Sequence, residues 1–522
     1  MRICAIFVKL RISKKLLTTI LICLALFIVA YGVRVYDLNG TGATWDEWGY
    51  HYPSMVYYKA ITDGSASEDF WKVNNEHPPL VKYLYTYAYS KDQSFLDMLS
   101  GKTQRHNYFT GTPYTNARKV SALLNALTVL LLFVYARRYW GLPIAIVASS
   151  ILTFLPHFLG HGKIAALDSP TTFFYVLAVF GFHYAIEKDT WKTWGLAWLL
   201  SGLAISTKYS NFTIFLLFGV MYLIWRWPKI KENPKHAWYW KTALLPVVAL
   251  LILYLMWPWL WYHPIDNFQA SVSHWTGSPP KEFFLGTQRE APLHYFIVYF
   301  FATTPLLVLL LIFPGIWRLV RKRSFKTWLL LLWFLIPFLW SFSTGIQDGI
   351  RYIYVIFPPL ALVAAVGWRK LPKWRWQVFA IIMASLLLIS VRIHPYYIDY
   401  YNPLVGGPQG VHEGQLFEFG WWGEGKKEMI DWINGNVPPN AIVGTKFSPY
   451  IDLSGWRSDV RYVDLELLNY SGHLDYVVTN TYWEWFNAEG DKYPIYEADL
   501  ENYKVVHTID VMGAPLVKIY KT

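Results

Sequence analysis

The sequence predicts an α-helical polytopic membrane protein, with about eleven transmembrane helices and a C-terminal soluble α/β domain. Three observations predict it. Hydrophobic residues make up 54% of the 522 residues and charged ones 16%. The apolar residues fall into runs long enough to cross about 30 Å of hydrocarbon. Lys and Arg gather between those runs, mostly in every second loop. Ordinary soluble domains carry about 45–50% apolar and about 25% charged residues, so no soluble fold could hide the excess. Aromatics reach 19%, with 28 Trp, and many stand at the ends of apolar runs, where amphipathic rings favour the lipid–water interface. A formal net charge of +12 does not point to nucleic acid, because the cations are spread between spans rather than collected on one soluble face. The two cysteines, Cys4 and Cys23, lie before or inside the first run, which leaves no disulfide framework and no Cys-based metal site.

The first run, Leu16 to Val33, follows Arg11, Lys14 and Lys15 and lacks an A-x-A-like cleavage site, so it is expected to be a retained anchor rather than a signal peptide. Further runs lie near 119–135, 142–159, 169–186, 193–207, 209–225, 242–261, 293–317, 327–342, 352–368 and 376–392. The fifth and sixth spans nearly touch at Lys208 and are expected to form a tight hairpin. With a cytoplasmic N-terminus, alternation puts most loop cations on the cytoplasmic face. It leaves only Lys163, Lys208, Lys281, Arg289 and Arg351 in the short loops opposite, the bias expected of a plasma-membrane protein. Residues 1–392 are then the transmembrane domain, with a large first outer loop at 35–118 and a second outer segment at 262–292. Residues 393–522 form an extracytoplasmic domain with a helix-like stretch from Glu424 to Asn434. Its β-like runs are Ala441 to Gly444, Tyr476 to Thr479, Val505 to Asp510 and Leu516 to Tyr520.

Residues able to do chemistry collect on the outer rim. Asp46 and Glu47 stand between Trp45 and Trp48 just after the first span. Adjacent carboxylates at an interface are costly unless solvated, paired or used. They are either part of a wet loop with interfacial anchors or, for Asp46, a general base that takes a proton from an attacking hydroxyl. Glu76-His77-Pro78-Pro79 opens a run whose aromatic and apolar residues suggest an interfacial helix. Carboxylate and imidazole side by side there could hold a metal or an anion, but two residues name neither. Asp168-Ser169-Pro170 before the fourth span is a good helix start, and Asp168 would share depth and side with Asp46. Lys208 and Arg351, the latter after Gly345-Ile346-Gln347-Asp348-Gly349, are rare cations on that rim. They either snorkel or neutralise an anion, for which a bidentate Arg suits phosphate and Lys serves as a point charge. His274 in the second outer segment is a weaker candidate.

The order of Asp46-Glu47, Glu76-His77-Pro78-Pro79, Leu167-Asp168-Ser169-Pro170, Thr207-Lys208 and Arg351-Tyr352 resembles the GT-C superfamily of membrane glycosyltransferases. The likeness is strongest to the branch of protein O-mannosyltransferases and lipid A aminoarabinose transferases, and it covers the chain to about residue 392. Beyond it, Tyr401-Asn402-Pro403 through Pro408 looks like a segment shared by prokaryotic members. The resemblance implies a sugar donor linked to polyprenyl or dolichyl phosphate, inverting transfer on the outer side of the membrane, and a protein or glycolipid acceptor. It implies Asp46 as the catalytic base with Glu47 as its partner, and Asp168 as the second-loop acid. Glu76 and His77 would lie near the donor phosphate and, in some members, near a divalent metal, with His274 a further candidate ligand. No organic cofactor is implied. Gly49 stands where aminoarabinose transferases tend to carry Arg. Chemistry agrees independently, since glycosyl transfer needs a base on one side of the anomeric carbon and cations against a leaving phosphate on the other. The rival reading is a secondary transporter, whose ionisable groups belong at mid-membrane within inverted repeats. In this chain the acids gather at one rim and no repeat is visible.

Overall fold

The computed structural model describes residues 14–64, 67–100, 114–237, 239–275, 281–341, 348–445, 456–465, 472–487 and 500–522. Cys4, Arg11 and the Gly345 to Gln347 run lie outside the described residues. Every apolar run read from the sequence is largely helical, and the protein is a multi-pass membrane protein. Among the described residues five helices are long and apolar enough to span a bilayer unaided, and a sixth span results if a bent pair is counted as one. The remaining runs fall short by that measure because they form short helices, such as Leu142–Phe154, Trp240–Met256 and Phe325–Ser341, or contain polar residues, as Asp168–Lys188 does with Asp168, Ser169, Thr171, Thr172 and His183.

Two expectations are corrected. The run at 293–317 is not one helix: Tyr295–Thr303 and Leu306–Lys322 meet at 119°. Pro305 causes the break, because it has no N–H to donate and pushes the residue before it out of the helical region; Thr304 is accordingly extended at ψ 127°. The fifth and sixth spans are not a packed hairpin. Trp191–Ile205 packs on Asp168–Lys188 and Trp240–Met256, while Thr213–Glu232 turns away to pack on Phe325–Ser341. The bend between them, at 206–212, holds Lys208 at the rim.

The segment between the first two runs holds helices Trp45–Asp63, Glu68–Lys72, Leu80–Tyr89 and Gln93–Leu99. Leu80–Tyr89 starts where the two prolines end, as their fixed φ predicts. In the segment after the 242–261 run a two-stranded antiparallel ribbon, β1 (Lys281–Phe284) and β2 (Thr287–Glu290), appears that the hydropathy pattern did not reveal.

The C-terminal region carries helix Lys426–Asn436 and a sheet of β3 (Ile442–Thr445), β4 (Arg461–Asp464), β5 (Tyr476–Asn480), β6 (Lys504–Val511) and β7 (Ala514–Lys521). The spatial order is β4-β3-β5-β7-β6. β3 runs parallel to both β4 and β5, whereas β7 is antiparallel to β5 and β6. Central β5 is buried along its whole length.

Residues 394–425, between the last span and this sheet, are woven into the rim. Asn402 is fully buried at the break before Leu306. Its amide nitrogen donates to Phe301 O and Thr304 O at 2.6 Å each, and its backbone N–H donates to Ala302 O at 2.8 Å. These are carbonyls that an interrupted helix leaves without intrahelical partners, which explains an Asn at that place. His157 Nε2 meets Tyr400 O at 3.0 Å. The segment is thereby anchored to the helices before it.

Candidate active site

The rim gathers its acids around one guanidinium. Arg351, buried at the start of its span, donates from Nη2 to Asp46 Oδ2 at 2.5 Å. Its Nε lies 3.7 Å from Asp168 Oδ2 and its Nη1 2.9 Å from Asp348 Oδ2. On the far side of Asp168, Lys208 Nζ approaches Oδ1 at 3.4 Å, and His161 Nδ1 stands 3.5 Å from Oδ2. The carboxylates of Asp46 and Asp168, 122 positions apart in the chain numbering, thus share one cation. Lys208 lies 4.4 Å over the Tyr352 ring, and Arg351 lies 4.5 Å over that of Trp422. Arg351 Nε and Nη1, Asp168 Oδ2 and His161 Nδ1 are buried without an aligned hydrogen-bond partner among the described residues. Buried polar atoms are rarely left so. Here they cluster around Asp168 and Arg351, so the cluster's ion pairs are not closed by well-aligned hydrogen bonds.

Local structure explains each placement. Asp46 and Glu47 open helix Trp45–Asp63, where carboxylates favour the positive end of the helix dipole. A turn of about 100° per residue sends the two side chains to different surroundings. Glu47, with no exposure, is the brace. Its Oε1 accepts from Arg118 Nε at 2.6 Å and from Ala165 N at 3.0 Å, and its Oε2 accepts from Arg118 Nη2 at 2.6 Å and from Thr44 N at 3.0 Å. All its lone pairs are committed, so Glu47 secures the helix start and the 165 loop rather than facing the centre. Breaking a buried ion pair from one side costs about 3–5 kcal/mol. Glu47→Gln is therefore expected to lower the thermal midpoint of the purified protein and the amount of folded material recovered, which size-exclusion and melting measurements would record.

Asp168 does not cap its helix: the N-cap position, Leu167, has no side-chain bond, and Asp168 turns to Lys208 and Arg351 instead. Ser169 takes the structural role, donating to His161 O at 2.9 Å and accepting from Asn125 Nδ2 at 2.9 Å.

Glu76 and His77 border the same region. The His77 ring packs 4.9 Å from Trp275 and 6.3 Å from Tyr50. Burial, aided by Lys208, Lys82, Arg351 and His274, holds its imidazole well below its ordinary value and hence neutral. The turn before it hangs on Lys82, a residue the sequence reading passed over. Its buried ammonium donates to Asn74 O at 2.6 Å, His77 O at 2.9 Å and Val73 O at 3.4 Å. Burial pushes Lys82 down to about 7, with Glu76 opposing. Glu76 Oε1 accepts from Asn74 Nδ2 at 2.5 Å, and Trp275 Nε1 donates to Glu76 O at 2.8 Å. His274 is exposed beside Trp275. Among the described residues no group of three or more His, Cys, Asp or Glu comes together to hold a metal. Glu76 and His274 therefore do not make a metal centre by themselves, and no step is assigned to one.

Asp348 was named in the sequence without a role. Burial raises its carboxyl to about 7; Asp46 and Asp168 push the same way, while Arg351 and Lys208 oppose. Glu282 and Glu418 face it from the ribbon and from the segment after the last span, and each is itself raised well above its ordinary value, chiefly by burial. A carboxyl raised in the fold favours the folded state at low pH and gives up that stability as pH climbs from its unfolded value near 4 to about 7. For ligand binding the sign is similar. Below about pH 7 Asp348 is protonated and leaves Arg351 free for an anion, and above it the carboxylate competes. An anionic ligand is thus expected to bind more weakly above pH 7, and Asp348→Asn is expected to flatten that dependence in titrations across pH 6–8.

Comparison with known proteins follows the same lines. Residues 20–274 match the family profile of Dolichyl-phosphate-mannose-protein mannosyltransferase. The chain is 26% identical over 309 residues to undecaprenyl phosphate-alpha-4-amino-4-deoxy-L-arabinose arabinosyl transferase 1 of Pseudomonas fluorescens (strain Pf0-1), covering 52% of this chain and 49% of that one. It is 31% identical over 147 residues to the corresponding transferase of Pseudomonas aeruginosa (strain UCBPP-PA14), covering 27% and 25%. The chain spans about half the length, or less, of these curated relatives. Among solved structures, ArnT from Cupriavidus metallidurans bound to undecaprenyl phosphate superposes with a TM-score of 0.53 at 14% identity, over 97% of both chains. That likeness extends through the C-terminal region and establishes the fold.

Proposed function

We propose, for a chain with the GT-C fold that falls in the protein mannosyltransferase and aminoarabinose transferase branch, that this protein transfers a sugar from a polyprenyl phosphate to an acceptor hydroxyl. The reading places the reaction on the outer side of the membrane, as the distribution of Lys and Arg suggests. One observation carries it: Arg351, with two donor nitrogens lacking aligned partners, stands between Asp46 and Asp168 beside Lys208. Carboxylates and cations gathered at one rim supply the two kinds of group that glycosyl transfer from a phosphate requires, a base and a charge to offset the leaving phosphate.

In this mechanism the acceptor O–H gives its proton to Asp46 as its oxygen forms a bond to the anomeric carbon. The bond from that carbon to the phosphate oxygen breaks, and the electron pair leaves with polyprenyl phosphate. Arg351 and Lys208 offset the charge that grows on the leaving oxygen, and neutral His77 borders the phosphate. Attack from the side opposite the leaving group inverts the anomeric configuration. Phosphate is a good leaving group, so no strong general acid is needed. The acceptor is a protein or a glycolipid exposed on the same side.

The test is a panel of polyprenyl-phosphate-linked hexoses and pentoses offered to the purified protein in detergent, with release of polyprenyl phosphate as the readout. Release from at least one donor, dependent on added acceptor extract, is the expected result. No release from any donor, together with solute uptake into proteoliposomes, would replace this reading with a transporter.

A further inference from the structure

The segment after the last span reaches back over the site. Its turn at 420–425 lies against residues 41–45, the approach to the helix that carries Asp46. Gly425 N donates to Thr41 O at 3.2 Å, and Trp45 N donates to Trp422 O at 3.0 Å. The fit is close: Gly42 adopts φ +77°, and a Cβ there would come within 2.7 Å of Lys427 N. The turn is held from beneath by two buried acids, with Asp399 Oδ1 accepting from Gly420 N at 2.8 Å and Glu424 Oε2 accepting from Trp422 N at 3.2 Å.

Trp422 itself is 1% exposed. One side of its ring carries the Arg351 guanidinium at 4.5 Å, and the His161 imidazole meets it edge-on at 5.1 Å. Its carbonyl meanwhile takes the N–H of Trp45, one of the first-turn donors that a helix cannot satisfy internally. A closed circuit results. Trp422 O binds the residue before Asp46, Asp46 binds Arg351, and Arg351 lies on the Trp422 ring. In a closed circuit no member can shift without straining the others, which fixes side chains to the tolerance that catalysis demands.

We infer that Trp422 is a positioning residue, through which the C-terminal segment sets Asp46 and Arg351 relative to each other. The inference rests on the functional reading above. Trp422 touches no reacting atom. Its ring packs against the guanidinium that pairs with Asp46, Asp168 and Asp348, and its backbone carbonyl ties down the start of the Asp46 helix. A tryptophan serving only as packing would be replaceable by any apolar group of adequate size.

Two variants separate these roles. Trp422→Phe keeps a π face for the guanidinium, whereas Trp422→Leu keeps apolar bulk without one. Binding of undecaprenyl phosphate would be titrated in the full-length protein, and kcat and KM measured with the most active donor of the panel, alongside thermal midpoints. The expected result is Trp422→Phe within about threefold of wild type, and Trp422→Leu about tenfold weaker in undecaprenyl phosphate binding, the scale of a desolvated cation–π contact. A fall in kcat with Leu beyond the change in KM would report the misplaced Asp46. Leu binding and turning over within about twofold of wild type would overturn the inference. So would Phe and Leu losing activity equally and in step with their thermal midpoints, which is the mark of packing alone. Wild type failing to bind undecaprenyl phosphate would sink the functional reading first and this inference with it, and so is distinguishable from a failure confined to the variants.

Discussion

Asp46→Asn, at matched membrane levels, is expected to reduce sugar transfer by about a thousandfold, within the range of about 10²–10⁴ that a positioned general base contributes. The substitution is isosteric and keeps an oxygen to accept from Arg351 Nη2, now 2.5 Å away, so the fold should survive. On the mechanism proposed above, what it removes is the group that takes the acceptor's proton. Melting temperature and undecaprenyl phosphate binding should stay near wild type while turnover collapses. Near-normal turnover in the purified variant would dismiss Asp46 as base. The neighbouring acid behaves oppositely: Glu47, locked onto Arg118 on both oxygens, is expected to fail through folding. Two carboxylates one residue apart are thus told apart by which measurement moves.

Arg351→Ala is expected to cost about 10²–10³ in kcat/KM, comparable to removing a preorganised charged donor from an active centre. The loss should fall mainly on donor use. Arg351 is the one cation within 4 Å of Asp46, Asp168 and Asp348 together among the described residues. Without it, three carboxyl groups face one another with Lys208 as the nearest counter-charge. Arg351→Lys should recover only part of the activity, since an ammonium cannot reproduce the planar fork that reaches three acids and packs over Trp422. Donor saturation and its salt dependence are the measurements that decide. If both matched wild type in the Ala variant, the cation would have no part in holding phosphate.

Much of this site was legible in the sequence, for a topological reason. Asp46, Asp168, Lys208 and Arg351 each sit within a few residues of the end of an apolar run, and alternation of runs assigns those ends to one side. Membrane proteins thus reveal depth and sidedness from hydropathy, which is most of what it takes to collect a rim site. The pattern does not reveal direction around an axis. Asp46 and Glu47 looked like equal partners because adjacency in sequence is silent about where a first helical turn points its side chains. Arg118 stands with Lys119 at the start of an apolar run, and either cation could have been paired with Glu47 on that ground.

Contacts across hundreds of positions left no local trace. Trp422 lies in a Gly- and Trp-rich stretch that reads as an ordinary interfacial turn, and its meeting with Arg351 and Trp45 is a product of the tertiary fold alone. Asp348 was visible but carried no role until burial and its neighbours were known. Pro305 announced the 119° break, yet hydropathy averaged over a window concealed it. β4 was missed because Arg461 and Asp464 charge both ends of a four-residue strand, whereas the longer apolar runs of the same sheet were read.

The grip of residues 420–427 on residues 41–45 has a bearing on biogenesis. A nascent chain emerges from the ribosome N-terminus first, so the loop bearing Asp46 is made long before the turn that completes its surroundings. Until the last helix is threaded and its tail follows, the acids of the first loop have no aromatic lid and Arg351 has no stacking face. On the function proposed above, a half-made molecule would hold its donor badly, and competence would arrive only once residues 420–427 have followed.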